Sequence, residues 1–215
     1  MKSTDKKIVL DVDGVLLDFI GGITAFAQEY FNQEIIIHGK FFDLEQRFGL
    51  NKKQVDELWQ AFGENGGWKN LKAFDGAKIA VEKIIAAGFT PYVVTGLDYK
   101  FENQRLDNLY KELNFVPHQI YCMGHGQSPK NKIIEKINPD IFIDDNLLHL
   151  HKVHGVFHLA WIDHSEEQFP EPEKGVDSRV HSIKEWTDNY LEHVTKEIDN
   201  YHNKKEWIQR KLRFI

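Results

Sequence analysis

The chain has 215 residues, of which 41% are hydrophobic and 28% are charged, as in a globular protein with a sizeable core. Its formal net charge of −6 argues against a basic surface that binds bulk nucleic acid. Cys122 is the only cysteine, which excludes an internal disulfide. The first apolar run breaks at Asp11, too early for a signal peptide, and no stretch approaches the roughly 20 apolar residues of a membrane helix. We therefore expect a cytoplasmic protein that has no membrane partner.

Short apolar runs that end in glycine or aspartate recur along the chain and predict buried strands. These runs are residues 8–10, 89–95, 119–123, 141–143 and 156–162. Helical patterns lie between them, at residues 77–87, at residues 101–113 and after Ser128 and Pro129, which are typical of a helix start. Strands that alternate with helices predict a three-layer, Rossmann-like α/β fold with a central parallel sheet.

Two regions depart from this alternation. Residues 19–75 show helical patterns and no convincing strand, and we interpret them as a small helical cap inserted after the first strand. Residues 183–215 predict one long amphipathic helix or two, which could pack on the core or on a second copy of the chain in a homodimer. The core domain would then comprise residues 1–18 and 76–182.

Four acidic residues stand at predicted strand ends, namely Asp11, Asp13, Asp144 and Asp145. In a parallel sheet these ends share one edge, where ligands bind. Carboxylates held this close repel one another unless one is protonated or a cation lies among them. Oxygen ligands favour Mg²⁺, which usually accompanies a phosphate. The alternative is that they are loop carboxylates that cap helices.

Three further residues predict a phosphate site at the same edge. Thr95 and Gly96 end the second strand, where a hydroxyl and backbone N–H groups could hold a phosphoryl oxygen. Lys130 stands in the first turn of a predicted helix, where it could face an anion. Lys132 is the alternative lysine, although it lies further into the helix.

The order D-x-D-G, then T, then K, then D-D resembles that of the haloacid dehalogenase-like (HAD) hydrolase superfamily. The resemblance implies that Asp11 is the nucleophile, which takes the phosphoryl group as an aspartyl phosphate. It implies that Asp13 is the general acid and base, and that its backbone carbonyl binds Mg²⁺. The second aspartate is absent from dehalogenases, so D-V-D-G indicates hydrolysis of a phosphate ester.

The other motifs carry over in the same way. Thr95 and Lys130 match the groups that hold the phosphoryl group and steady the nucleophile. Asp144 matches the acidic Mg²⁺ ligand, and Asp145 matches a residue that assists it directly or through water. Receiver domains use similar residues, but in the order DD, D, T, K, which this chain does not follow.

A closer resemblance is to the 5′(3′)-deoxyribonucleotidase-like branch, through the segments DVDGVLLDF, WKNLKAFDG and FIDD. It implies a phosphatase that acts on nucleoside monophosphates, with the cap closing over the substrate. Phe19, Phe42 and Trp68 are candidates to face the base, or they form the cap's own core.

Other functions remain open at this point. The same chemistry could act on a different metabolite such as a sugar phosphate, or transfer the phosphoryl group to an acceptor other than water. A HAD-fold protein could also bind or regulate without catalysis. The histidines of residues 149–164 indicate either polar surface side chains or a zinc site, although their spacing matches no recognised zinc motif.

Overall fold

The computed structural model describes residues 6–39, 42–124, 130–164 and 173–212. Within them, six parallel strands form one sheet in the order β3-β2-β1-β4-β5-β6. The strands are β1 (Lys6–Leu10), β2 (Phe89–Thr95), β3 (Gln119–Cys122), β4 (Ile141–Asp144), β5 (His158–Ile162) and β6 (Ser178–Val180). The parallel sheet is confirmed. The sixth strand was not predicted, because its three residues form no continuous apolar run.

Helices pack against the sheet and lie in the connections between successive strands. They are α1 (Phe19–Phe31), α2 (Leu44–Phe48), α3 (Lys52–Glu64), α4 (Ala77–Ala86), α5 (Glu102–Leu113), α6 (Asn131–Ile137), α7 (Leu147–Leu150), α8 (Ile183–Asn189) and α9 (Leu191–Leu212). A capping box of Asn51 and Gln54 begins α3. Ser128 and Pro129, the predicted start of the next helix, lie outside the described residues.

The chain between β1 and α4 contains α1, α2, α3 and a 3₁₀ turn at Gly67–Lys69. Leu17 and Ala73 form an isolated antiparallel bridge, so this stretch leaves the core and rejoins it at adjacent points. Buried side chains of α1 and α3 belong to the same apolar cluster as Leu10 of β1. The division of the chain into separate domains therefore stays a prediction.

Helix α9 packs on the core along its described N-terminal half. Its residues Leu191, Val194 and Ile198 are buried. Asp199 of the same helix forms an ion pair with Lys6 at 3.0 Å. In the part of the chain that the structure covers, no helix is both long enough and apolar enough to cross a membrane.

His158 is buried in β5, so the prediction of a surface side chain is wrong for this histidine. Its Nε2 accepts a hydrogen bond from Trp186 Nε1 at 3.3 Å and lies 2.9 Å from Ser178 Oγ. Burial lowers the pKa of His158. The folded protein therefore binds a proton at this site less readily than the unfolded chain does.

We expect this difference to make stability depend on pH. Below the ordinary histidine pKa of about 6.5, the unfolded chain takes up a proton that folded His158 does not, so stability falls as the pH falls. The free energy of unfolding should lose up to about 1.4 kcal/mol per pH unit through this group. Urea unfolding of the wild type and of His158→Gln between pH 5 and 8 measures this pH dependence of the free energy of unfolding. Parallel profiles for the two proteins would contradict the prediction.

Candidate active site

Three neighbouring strands bring predicted polar residues to one edge of the sheet. Asp11 directly follows β1, Thr95 ends β2, and Asp144 ends β4. The N–H of Asp11 donates to the carbonyl of Ile143 at 3.0 Å, which extends the pairing of β1 with β4 beyond the last residue of β1. Because the strands are parallel and adjacent, these side chains start from the same end of the sheet.

Lys130 is the cation at the centre of this edge. Its Nζ lies 2.8 Å from Oδ2 of Asp11 and 2.7 Å from Oδ2 of Asp144, and the side chain is only 3% exposed. Burial works against its charge, but the two carboxylates outweigh that effect and raise the pKa of the lysine. Lys132 is exposed, so the structure places Lys130, and not Lys132, among the carboxylates.

Asp11, Asp144 and Asp145 form a cluster of carboxylates that could hold a metal ion. One oxygen from each lies within 4.8 Å of the others. His149 also contacts this group, with Nδ1 3.2 Å from both oxygens of Asp144. In the described parts of the chain, this cluster is the one group of three or more potential metal ligands whose ligand atoms lie close together, and it contains no histidine.

The electrostatics of the cluster suit a divalent cation. Burial, together with the nearby carboxylates, raises the pKa of Asp11 to about 6, although Lys130 opposes the shift. Burial and the charges of Asp11 and Asp144 raise the pKa of Asp145 well above its usual value. For Asp144, burial is outweighed by Lys130 and His149, and its pKa is lowered. One ammonium does not balance three carboxylates, and a divalent cation would supply the missing positive charge.

Gly14 allows the loop after β1 to pass beside this cluster. Its φ is +85°, a conformation that other residues rarely adopt, and a Cβ there would overlap the carboxylate of Asp145. His164 Nε2 lies 2.6 Å from the carbonyl oxygen of Gly14, and its ring stacks on Phe74 with centroids 5.1 Å apart. The glycine of the D-x-D-G motif is therefore required by close packing.

The side chain of Asp13 makes its contact with a different cation, Arg105 of α5. Nη2 of Arg105 donates to Oδ1 of Asp13 at 2.7 Å and to Oδ2 at 2.8 Å. The Asp13 side chain is 22% exposed, whereas that of Arg105 is completely buried. The carboxylate of Asp13 is thus held beside the cluster and is not one of the three grouped acids.

Thr95 is buried, and its Oγ1 has no hydrogen-bond partner among the described residues. A buried polar atom without a partner is costly unless water or a ligand satisfies it. The next residue, Gly96, is exposed, and a Cβ built on it meets no atom within 4 Å. The end of β2 therefore combines an unused hydroxyl with open space beside the backbone.

Three rings form an aromatic stack beside the site: Phe19, Trp59 and Trp68. The ring of Phe19 lies 5.6 Å from that of Trp68, at an interplanar angle of 9°. Trp59 stacks on Phe19 with centroids 5.6 Å apart. Trp68 connects the stack to the acidic edge, since the guanidinium of Arg105 lies 5.2 Å from its ring. Phe42 stands apart in the segment before α2, where it is 63% exposed.

Arg105 is the site residue that sequence reasoning missed. The helical pattern at residues 101–113 rests on its apolar side chains, which are Phe101, Leu106, Leu109, Tyr110 and Leu113. Tyr110 is 61% exposed, however, whereas Arg105 is buried. The spacing of Phe101, Arg105 and Asn108 also matches one helix face. A polar inward stripe is missed when only apolar residues are counted.

Residues 6–178 match the family model described as 5′ nucleotidase, deoxy (pyrimidine), cytosolic type C protein (NT5C). The search of the curated proteins gave no match.

Several solved structures share the fold. A predicted phosphatase from Clostridium acetobutylicum is 18% identical with a TM-score of 0.60, covering 88% of this chain and all (100%) of its own. A haloacid dehalogenase-like hydrolase from Streptococcus pneumoniae is 15% identical with a TM-score of 0.56, covering 86% of this chain and 98% of its own. A HAD family hydrolase from Deinococcus radiodurans, with bound phosphate and sodium, is 16% identical with a TM-score of 0.52, covering 84% and 93%.

The family match spans β1 to the start of β6 and includes every motif at the acidic edge. The structural neighbours share the overall fold. The fold is that of the HAD hydrolases, and the chain belongs to the cytosolic type C 5′ nucleotidase family, so it is a phosphatase that acts on small phosphorylated substrates.

Proposed function

We propose that the protein hydrolyses nucleoside monophosphates, ribo or deoxy, in a Mg²⁺-dependent reaction that passes through an aspartyl phosphate on Asp11. The family description, which names a nucleotidase, supports this substrate class. The word cytosolic in the same description supports a cytoplasmic location. A different small phosphate ester, such as a sugar phosphate, is the alternative substrate.

The proposal rests mainly on the contacts that hold the carboxylate of Asp11 in place. Its Oδ2 is held by Lys130 at 2.8 Å, and its Oδ1 accepts from the N–H of Val12 at 2.7 Å. A carboxylate fixed at both oxygens needs little reorganisation before it attacks. The unpartnered hydroxyl of Thr95, at the end of the adjacent strand, is a suitable donor to a phosphoryl oxygen.

In the proposed first step, an oxygen of Asp11 bonds to phosphorus and the bond from phosphorus to the ester oxygen breaks. The departing oxygen takes a proton from Asp13 and leaves as an alcohol. Covalent catalysis of this kind divides one difficult displacement into two easier ones. Lys130 stabilises the negative charge that the phosphoryl oxygens share with Asp11.

In the second step, the oxygen of a water molecule bonds to phosphorus and gives its proton to Asp13. The bond from phosphorus to Asp11 breaks, and its electron pair returns to the Asp11 carboxylate. The products are inorganic phosphate and the starting enzyme, since Asp13 has regained the proton that it gave up in the first step.

Asp11, Asp144 and Asp145 would hold Mg²⁺, together with the backbone carbonyl of Asp13. When bound, the ion would neutralise charge on the transferring phosphoryl group and orient it. The proximity of these carboxylates, and the raised pKa values of Asp11 and Asp145, support a site for a divalent cation.

Phosphate release from a panel of esters tests the proposal. The panel contains nucleoside monophosphates, sugar phosphates and p-nitrophenyl phosphate, each with Mg²⁺ and with EDTA. We expect Mg²⁺-dependent release that favours the nucleotides. Release from sugar phosphates alone would contradict the proposed substrate class but would be consistent with the proposed chemistry. Equal release in Mg²⁺ and in EDTA would contradict the proposed dependence on a metal ion.

The aromatic stack is the proposed place for the base. Phe19→Leu should raise KM for nucleoside monophosphates about 5- to 150-fold, because stacking of a base on an aromatic ring contributes about 1–3 kcal/mol. The kcat/KM for p-nitrophenyl phosphate, which has no base, should change less than about twofold in the same variant. Phe42→Leu serves as the control at an exposed phenylalanine. Equal losses on both substrates would contradict a role in base binding.

A further inference from the structure

Arg105 is a buried cation whose surroundings are unusual. Its side chain is 0% exposed, yet Nε and Nη1 have no hydrogen-bond partner within the described residues. Only Nη2 makes described hydrogen bonds, and both of them go to Asp13. Burying a guanidinium is costly unless a charge compensates it, so the carboxylate of Asp13 is drawn to this position. The face of Trp68, 5.2 Å away, adds a weaker attraction.

Helix α5 is fixed in place on both sides of Arg105. Nε2 of Gln104 donates to the carbonyl of Gly63 at 3.0 Å. Nδ2 of Asn108 donates to the carbonyl of Leu71 at 2.8 Å. These bonds tie α5 to the last turn of α3 and to the segment that follows it, on either side of Arg105.

We propose that Arg105 is a positioning residue that orients Asp13 to accept the proton of the attacking water. This inference rests on the proposed function, in which Asp13 is the acid and base. Arginine only donates hydrogen bonds, so both oxygens of Asp13 act as acceptors in this pair, and each keeps a further lone pair that can take a proton from water. Arg105 itself acts through Asp13 and does not need to touch the substrate.

The two chemical steps should respond differently to loss of Arg105. With p-nitrophenyl phosphate the leaving group departs without help from an acid, so the first step needs Asp11 and Lys130 but little from Asp13. The second step still needs Asp13 to take a proton from water. An Asp13 side chain that is no longer oriented should therefore slow hydrolysis of the aspartyl phosphate while its formation continues.

The test is rapid-mixing kinetics of Arg105→Met with p-nitrophenyl phosphate and Mg²⁺. Methionine keeps an unbranched apolar side chain, although a shorter one, and removes the charge and the donors. We expect kcat to fall about 10- to 100-fold, since a general base contributes about 10²–10⁴-fold. We also expect a burst of about one p-nitrophenol per enzyme before phosphate appears. A lower kcat without a burst, or an unchanged kcat, would overturn the inference.

Two variants separate positioning from a merely structural role. Arg105→Lys keeps a charged donor and should recover part of the lost kcat with a smaller burst, and it also provides the test if Arg105→Met does not fold. Glu112→Gln removes the 3.3 Å ion pair of α5 with Lys72 without touching Asp13, and it should give no burst. A burst of equal size in Glu112→Gln would assign the effect to loosening of α5 and would overturn the inference.

Failure of the inference is distinguishable from failure of the proposed function. If the wild type and Arg105→Met both form no phosphoenzyme on acid quench, the aspartyl-phosphate mechanism is wrong. If phosphoenzyme forms in the wild type but does not accumulate in Arg105→Met, the mechanism stands and the role of Arg105 is wrong. Adding Asp11→Asn to Arg105→Met should abolish the burst.

Discussion

Asp11→Asn should lower kcat for phosphate release by at least about 10³-fold, which is the loss typical of removing a catalytic nucleophile. The amide has nearly the same volume as the carboxylate, but its oxygen is a much weaker nucleophile. Phosphate release with Mg²⁺ and saturating substrate measures the effect. An Asp11→Asn variant with full activity would show that another residue attacks phosphorus.

The same substitution should leave the fold intact. Burial raises the pKa of Asp11 to about 6, so its negative charge is unfavourable in the folded protein at neutral pH. A neutral asparagine removes repulsion from Asp144, and Lys130 keeps its 2.7 Å contact with that residue. Urea unfolding in EDTA should therefore show little loss of stability. Asp107→Asn, at an exposed carboxylate, is the control and should retain activity.

Lys130→Met should reduce both stability and activity. It removes the buried cation between Asp11 and Asp144 and leaves two buried carboxylates to repel each other. Removing one partner of a buried ion pair typically costs about 3–5 kcal/mol, and we expect a loss of this size in the free energy of unfolding in EDTA. Phosphate release should also fall, because the charge that steadies the nucleophile is gone.

The chain provides a matched control two residues further on. Lys132 is exposed, so Lys132→Met should change the free energy of unfolding by less than about 0.5 kcal/mol and leave kcat unchanged. Mg²⁺ should stabilise Lys130→Met more than it stabilises the wild type, because the variant has one more uncompensated negative charge. Equal unfolding curves for Lys130→Met and Lys132→Met would contradict the role given to the buried lysine.

The edge of the sheet could be predicted from sequence because a strand end is a local feature. One apolar run ends at Asp11 and another ends at Asp144, and this pattern places each aspartate at the end of a strand. The rule that parallel strands end together then brings them to one edge without knowledge of the strand order. The choice between Lys130 and Lys132 required the structure, since both lysines are compatible with the same short helix.

Contacts between distant segments could not be predicted in the same way. The partner of Asp13 is Arg105, which is 92 residues away in the sequence. Arg105 lies in a helix whose sequence pattern is amphipathic. The aromatic stack depends on how α1 and α3 pack against the 3₁₀ turn, and a helical pattern does not fix that packing. For this reason Phe19 and Trp68 pack together while Phe42, equally aromatic, faces solvent.

The position of β1 at the middle of the sheet has a consequence for synthesis on the ribosome. Its two neighbours are β2, which begins at Phe89, and β4, which begins at Ile141. One side of β1 therefore stays unpaired while about 130 residues are added to the nascent chain. An unpaired apolar strand is a template for association with other chains, so a product that stops before β4 would present that template permanently.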